Sequence, residues 1–342
     1  MIKRTLYFGN PAYLSLTNKQ LVIRLPEVEK ADNVSEIIKE KAVRTIPIED
    51  VGVVMLDHKQ ITITQALLEA LMDNNVAVVT CSSSHMPMGL LLPLASNCIP
   101  NERFRNQLYC SAPLRKQLWQ QTMQTKIRNQ AAILKRNTHQ PVSTMLRWAN
   151  DVKSGDSDNL EARAAVYYWK NVFPDIPDFV RGRDELPPNN LLNYGYAILR
   201  AITARALVAS GMLPILGIHH HGRENAYCLA DDVMEPYRPI VDQVVIDIIN
   251  SGVDYNELTN DIKVKLLSIP TIDVKMGSKT RPLMIAVAQT TASLYMHICH
   301  FFARTVADID GKLKHSETIA HNILTESGIL FPLLLGFGGK VE

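Results

Sequence analysis

The sequence predicts an α+β protein in two domains, a small N-terminal β-rich domain followed by a larger all-helical one. Two observations predict it. Hydrophobic spacing changes along the chain, from short runs of branched and aromatic residues to long stretches with the period of helices. Between them, residues 82–100 gather Pro87, Pro93 and Pro100 among small side chains, as a hinge does. The boundaries that follow are 1–84 for the β-domain, 85–100 for a linker and 101–342 for the helical domain. At 342 residues, 46% hydrophobic and 20% charged, the chain has the length for two domains and the composition for packed cores.

In the first part, 5–8, 13–17 and 20–24 read as strands, broken by Asn10-Pro11 and Asn18-Lys19. Residues 44–48, 51–56 and 76–80 continue the pattern. One helix interrupts it from about Ile63 to Asp73, with Thr62 and Gln65 as its capping box and Ala66, Leu67, Ala70 and Leu71 as its apolar face. Beyond the hinge, helices are expected over 106–136, 144–152, 160–172, 190–210, 233–251 and 283–308, with no strand among them. The proline-rich stretch 174–188 reads as an ordered inter-helix loop, and no internal repeat is present.

Composition narrows the function classes. A formal charge of +2 neither demands nor excludes nucleic acid, so any basic surface must be local. The opening MIKRTLYFGNPAY lacks the apolar run of a signal peptide, and no stretch is long and apolar enough to span a membrane. The greasy segment 329–337 is too short to span and is expected to dock onto the core or a partner. Five scattered cysteines without a CxxC pair read as reduced thiols, and the expected location is cytoplasmic.

Chemistry concentrates in the helical half. Glu161 shares a helix face with Ala164, Ala165 and Tyr168, where small residues admit a neighbouring helix. It also matches a capping pair with Asp158, so two readings stand. Asp232 and Glu235 lie one helical turn apart and point the same way, with Pro236 pinning the backbone; a cation between them and a solvated acidic helix start are both compatible. His219-His220-His221 follows an apolar run and is flanked by Gly217 and Gly222; three consecutive imidazoles cannot all face one site. The other seven histidines, His85 among them, have no acidic cluster nearby in sequence and read as structural. Imidazole and carboxylates together suit a divalent cation such as Mg²⁺ or Mn²⁺ and phosphodiester chemistry. Lys275, Lys279 and Arg281, in a glycine-containing loop, are candidate contacts to a DNA backbone. The Gly277-Ser-Lys-Thr280 segment lacks the preceding glycine and strand of a nucleotide loop, so ATP binding is not expected.

Four ordered motifs, EARAA at 161–165, NNLLNYGY at 189–196, GIHH at 217–220 and DDVMEPYRP at 231–239, resemble the CRISPR-associated adaptation integrase family, the first of the universal Cas proteins. The resemblance covers essentially the whole chain, and the double-histidine form is similar to the variant of type II systems. It implies a metal site of Glu161, His220 and Glu235, with His219 and His221 as alternatives in an ambiguous register. Asp232, His219, Asn193, Tyr194 and Arg238 are the expected supporting residues. The implied function is a metal-dependent DNA integrase that joins 3′-hydroxyl ends of spacer DNA to the repeat of a CRISPR array by transesterification. Implied partners are DNA, a second copy of the chain joined through the β-domains, and the small second Cas protein of the adaptation complex. The competing readings are a structure-selective endonuclease and a non-catalytic DNA-binding scaffold.

Overall fold

A computed structural model describes residues 3–29, 37, 39, 42–94, 97–182 and 185–309, side chains 299–309 excepted. The segment 329–337, His315, His321 and the side chains of Cys299 and His300 lie outside what is described. The chain forms two compact units, Met1–Ser96 and Asn97–Glu342.

Among its described residues the N-terminal unit holds eight strands: β1 (Arg4–Phe8), β2 (Ala12–Thr17), β3 (Gln20–Arg24), β4 (Arg44–Pro47), β5 (Val51–Leu56), β6 (Ile61–Ile63), β7 (Ala77–Cys81) and β8 (Pro87–Leu91). Among the described residues, helices α1 (Pro26–Glu29) and α2 (Gln65–Asp73) accompany them. The strands form two four-stranded sheets, ordered β1-β5-β7-β8 and β4-β3-β2-β6. Strand β5 reads VGVVML without alternation because it lies between parallel neighbours β1 and β7, and its first five residues are buried. Leu67 and Leu71 of α2 pack with Leu14, Leu21, Val54 and Val78 to form this unit's core.

Several expectations are corrected here. The cap of α2 is Thr64, whose hydroxyl accepts from the Leu67 amide, so the helix starts later than Ile63 and that residue closes β6. Strand β8 falls within the stretch read as linker and pairs antiparallel with β7. His85, read as structural, pairs with a single carboxylate distant in sequence: its Nδ1 lies 2.9 Å from Oδ1 of buried Asp57.

The second unit contains α3 (Pro100–Leu108), α4 (Ala112–Asn137), α5 (Ser143–Asp151), α6 (Leu160–Asn171), α7 (Asn189–Ala209), α8 (Cys228–Met234), α9 (Arg238–Asn250), α10 (Asn260–Leu267) and α11 (Leu283–Ile309). Helix α7 lies at its centre, packed against α8, α9, α10 and α11. Its Gly195 allows the close approach of α9, since a Cβ there would come within 2.5 Å of Val241 Cγ1. Helix α4 lines the same core and packs against α5, α6, α9 and a 3₁₀ turn at Glu235–Tyr237.

The predicted helix over 106–136 is two helices, because Ser111 caps α4 through the Leu114 amide and Pro113 fits only a first turn. The predicted helix over 233–251 breaks similarly: Pro236 and Pro239 lack amide hydrogens, and the 3₁₀ turn separates α8 from α9. Helix α10, started by its Thr259 cap, was not expected, nor was the hairpin β9 (Asp273–Met276) and β10 (Lys279–Pro282) in a unit read as strandless.

Candidate functional site

The histidine loop is organised by one carboxylate. Asp232, fully buried on α8, accepts from the amides of Ile218 (2.7 Å) and His219 (2.9 Å) through Oδ2. Its Oδ1 accepts from the His220 amide (3.2 Å) and lies 2.5 Å from His220 Nδ1. Such convergence requires the loop to touch the carboxylate closely. Gly217 makes this possible, because a Cβ there would lie 2.2 Å from the His220 carbonyl oxygen and 2.9 Å from Asp232 Oδ2. The neighbouring Asp231 turns elsewhere, to Arg200 (2.6 Å) on α7 and Asn225 (2.7 Å).

The three imidazoles separate as their backbone requires. His219 stacks on Trp119 of α4, with ring centroids 4.0 Å apart and 3° between planes. His220 meets the same indole edge-on at 5.6 Å. His221 is exposed, as are its two neighbours. With Nδ1 of His220 committed to Asp232, Nε2 is the nitrogen that remains for a ligand. The Asp232 hydrogen bond, working against partial burial, raises the His220 pKa above the ordinary 6.5, aided by the charges of Asp232, Glu235 and Asp231.

Glu161 and Glu235 arrive from different helices. Glu161 stands in the first turn of α6, and the expected Asp158 cap is corrected: Asp156 caps this helix, accepting from the amides of Leu160 (2.9 Å) and Glu161 (3.0 Å). Asp158 pairs instead with exposed Lys153. Glu235 opens the 3₁₀ turn, whose Pro236 carbonyl accepts from Asn129 of α4 at 2.7 Å.

The two carboxylates meet on one cation, Lys126 of α4. Its Nζ donates to Glu161 Oε1 at 2.6 Å and forms an ion pair with Glu235 Oε2 at 2.7 Å. Glu235 Oε1 accepts from Arg238 Nε at 2.8 Å, while Oε2 is buried without a well-directed hydrogen bond. Burial would raise the Glu235 pKa, but the Arg238 and Lys126 charges override it and hold the group at about 2. Burial would likewise lower the Lys126 pKa, and Glu235 and Glu161 reverse this to a net rise.

Behind the site, fully buried Asp242 of α9 accepts from the hydroxyls of Tyr168 on α6 (2.9 Å) and Tyr196 on α7 (2.5 Å). Burial lifts its pKa to about 6, moderated by those hydroxyls and by Arg181 and Arg238. The Arg238 guanidinium stacks over the Tyr196 ring at 4.6 Å, which joins this network to Glu235.

The structure therefore brings Glu161, Glu235 and Arg238 together and anchors His219 and His220 on Asp232. Asn193 accepts from Arg181 at 2.8 Å, and Tyr194 is fully buried within α7. The candidate DNA contacts divide between the two faces of their hairpin. Lys275 stands opposite Thr280, whereas Lys279 and Arg281 stand opposite Met276 and Val274 on the other face. Sequence reasoning missed Lys126, Trp119, Asp156 and Asp242. A signal for Lys126 existed: Thr122, Asn129 and Gln130 are buried polar residues at helical spacing, where an ordinary core helix would be apolar.

A family model described as "CRISPR associated protein Cas1" matches residues 7–260. The chain belongs to the Cas1 family. It is 36% identical over 268 residues to a CRISPR-associated endonuclease Cas1 of Neisseria meningitidis serogroup C (strain 8013), covering 78% of this chain and 83% of the relative. A Cas1 from Pyrobaculum aerophilum, also named an endonuclease, is 26% identical over 269 residues, 75% of this chain and 90% of the relative. Among solved structures, a casposase bound to integration product has a TM-score of 0.68 at 19% identity, covering 96% and 99% of the two chains. A Cas1 protein from Thermotoga maritima has a TM-score of 0.64 at 15% identity, covering 86% and 97%. These likenesses establish the two-part α+β fold of Cas1. No described helix is long and apolar enough to cross a membrane.

The donor set fits a divalent cation by its chemistry: two carboxylates from separate helices facing one positive charge, an oxygen buried without a directed donor, and an imidazole whose far nitrogen is fixed by a carboxylate. Among the described residues, no three His, Cys, Asp or Glu side chains form a ready cluster for a metal ion. The positive charge between the carboxylates is the Lys126 ammonium.

Proposed function

We propose that this Cas1-family chain is the DNA integrase of CRISPR adaptation. It joins the 3′-hydroxyl ends of short spacer DNA to the repeat of a CRISPR array. The observation that carries the reading is the meeting of Glu161 and Glu235 on a single cation beside the anchored His220 loop. Glu161, Glu235 and Nε2 of His220 would hold Mg²⁺ or Mn²⁺, which when bound supplies charge neutralisation at the reacting phosphoryl oxygens.

The chain's own residues prepare that chemistry. Asp232 accepts the Nδ1 hydrogen of His220 and so leaves Nε2 with its lone pair. Arg238 fixes the Glu235 carboxylate, which stays ionised far below neutral pH. In the reaction a 3′-oxygen forms a bond to phosphorus and the 3′-oxygen of the repeat strand leaves with the electron pair. One phosphodiester replaces another, so no ATP is consumed, and positioning of the ends supplies much of the rate. DNA and the small second Cas protein are the partners of this reading. It draws support from solved chains of the same fold, a casposase bound to integration product and a chain of a Cas6-RT-Cas1–Cas2 complex. A homodimer formed through the β-rich unit and a cytoplasmic location complete it.

The second reading, favoured by the name of the Neisseria relative, is an endonuclease using water in place of the 3′-hydroxyl. An integration assay separates them. A supercoiled CRISPR-array plasmid is incubated with labelled short duplexes ending in 3′-hydroxyl or 3′-deoxy termini, with and without Mg²⁺ or Mn²⁺ and with the second Cas protein. Joined product that needs both the metal and the hydroxyl supports the integrase, and cleavage indifferent to the 3′ end supports the endonuclease. Glu161→Ala and His220→Ala are expected to lower joining by at least about a hundredfold with folding intact. Full activity in both variants would favour a non-catalytic scaffold.

A further inference from the structure

Lys126 lies midway along α4 beside the buried polar residues Thr122 and Asn129, and its side chain is only 12% exposed. An ammonium is costly to bury unless opposite charge surrounds it. Glu161 at 2.6 Å and Glu235 at 2.7 Å supply that charge from two different helices. The ammonium is therefore in contact with the same two carboxylates that the proposed function assigns to a divalent cation. Both cations are compact and hard, and both need those oxygens. A divalent ion draws carboxylate oxygens in to roughly 2.0–2.1 Å for Mg²⁺, closer than the ammonium holds them, and its double charge repels an ammonium left in place.

We propose that Lys126 is a resident counter-cation of the site: it holds Glu161 and Glu235 together and must be displaced before a divalent cation takes both carboxylates. The proposal rests on the metal reading above and adds a competition to it. Lys126 is a positioning residue with a flexible four-carbon stem, so its head group can swing away while α4 stays packed. The site thus keeps its two acidic groups assembled at the expense of metal affinity.

Binding of Mn²⁺ to the full chain tests this, read from the electron paramagnetic resonance signal of the free ion for wild type, Lys126→Met and Glu161→Gln. Lys126→Met is expected to bind Mn²⁺ at least about tenfold more tightly, the scale of one charge-assisted hydrogen bond lost from the competition. Mn²⁺ should also raise the melting temperature of that variant more than that of wild type. If Lys126→Met binds no tighter than wild type while Glu161→Gln loses the ion, the competition is wrong and the metal reading survives. If neither wild type nor Lys126→Met binds Mn²⁺, both fall. Should Lys126→Met not fold, wild type decides alone. The ¹⁵N signal of the buried lysine ammonium, assigned with Lys126→Arg, must move on adding Mg²⁺, and an unchanged signal at saturating Mg²⁺ overturns the proposal.

Discussion

Asp232 accepts from three backbone amides and one imidazole, so a single carboxylate sets the shape of the histidine loop. Asp232→Asn replaces an acceptor-only group by one that presents a donor toward those amides. Buried donors left without acceptors cost about 1–3 kcal/mol each, and loss of a carboxylate behind a ligating imidazole lowers metal affinity or activity about 10–100-fold. Equilibrium unfolding and joining assays are expected to show both losses. The pH profile adds a sign. Asp232 raises the His220 pKa, so imidazolium persists above the ordinary 6.5 and joining should fall as pH drops through that higher value. Asp232→Asn moves that acid limb to lower pH; an unmoved limb would mean another group controls it. At this scale the residues that the structure gathers were legible: Asp232, Glu235 and the histidines stand near one another in sequence, and short motifs carried Glu161. Lys126 was not, because its role exists only where three helices converge, and a lysine in a polar helix reads as surface.

Helices α6, α7 and α9 are tied by one polar lock, the two tyrosine hydroxyls on Asp242. The Asp242 carboxyl is raised from 3.8 to about 6, so the unfolded chain gives up its proton first as pH rises. That group therefore costs stability progressively between about pH 4 and pH 6. Asp242→Asn should flatten this part of the urea-midpoint profile; an unaltered slope would assign it elsewhere. Glu235 acts oppositely and in another window: held at about 2, it stabilises the fold above its ordinary 4.5 and loses that contribution as pH falls toward 2. The Gly217 turn is an equally sharp test. Gly217→Ala places a methyl against the His220 carbonyl and Asp232, and it should cost joining activity with the circular-dichroism spectrum unchanged. Most elements were legible from periodicity, α7 and α2 most plainly. The breaks at Ser111 and Pro236 carried local signals, capping and missing amide hydrogens, which the continuous apolar period outweighed. The short hairpin β9–β10 and strand β8 gave too few residues for a period of two to register.

For the whole chain, charge is nearly balanced at +2, so on the proposed integrase reading any attraction to DNA comes from local surface. The hairpin lysines and arginine are the candidates, and the structure assigns them to opposite faces. One flat duplex surface cannot touch both faces. Removing Lys279 and Arg281 is therefore expected to reduce the slope of log affinity against log salt by up to about two phosphate contacts, with Lys275→Ala having a separate, smaller effect. Filter binding across a salt series measures each slope, and equal effects of all three would contradict the division by face. The two-part organisation was visible as a change of hydrophobic period. Its hinge was harder to place, since β8 extends the first sheet into residues whose prolines suggested a linker.

The stacked pair of Trp119 and His219 gives the molecule an optical reporter. Of three tryptophans, this one lies flat against the loop that carries His220, and a nearby imidazole quenches indole emission most when protonated. With Trp148 and Trp169 replaced by phenylalanine, any lifting of the loop from the helix when DNA is added would register as a change in the remaining fluorescence, read by stopped flow without an attached dye.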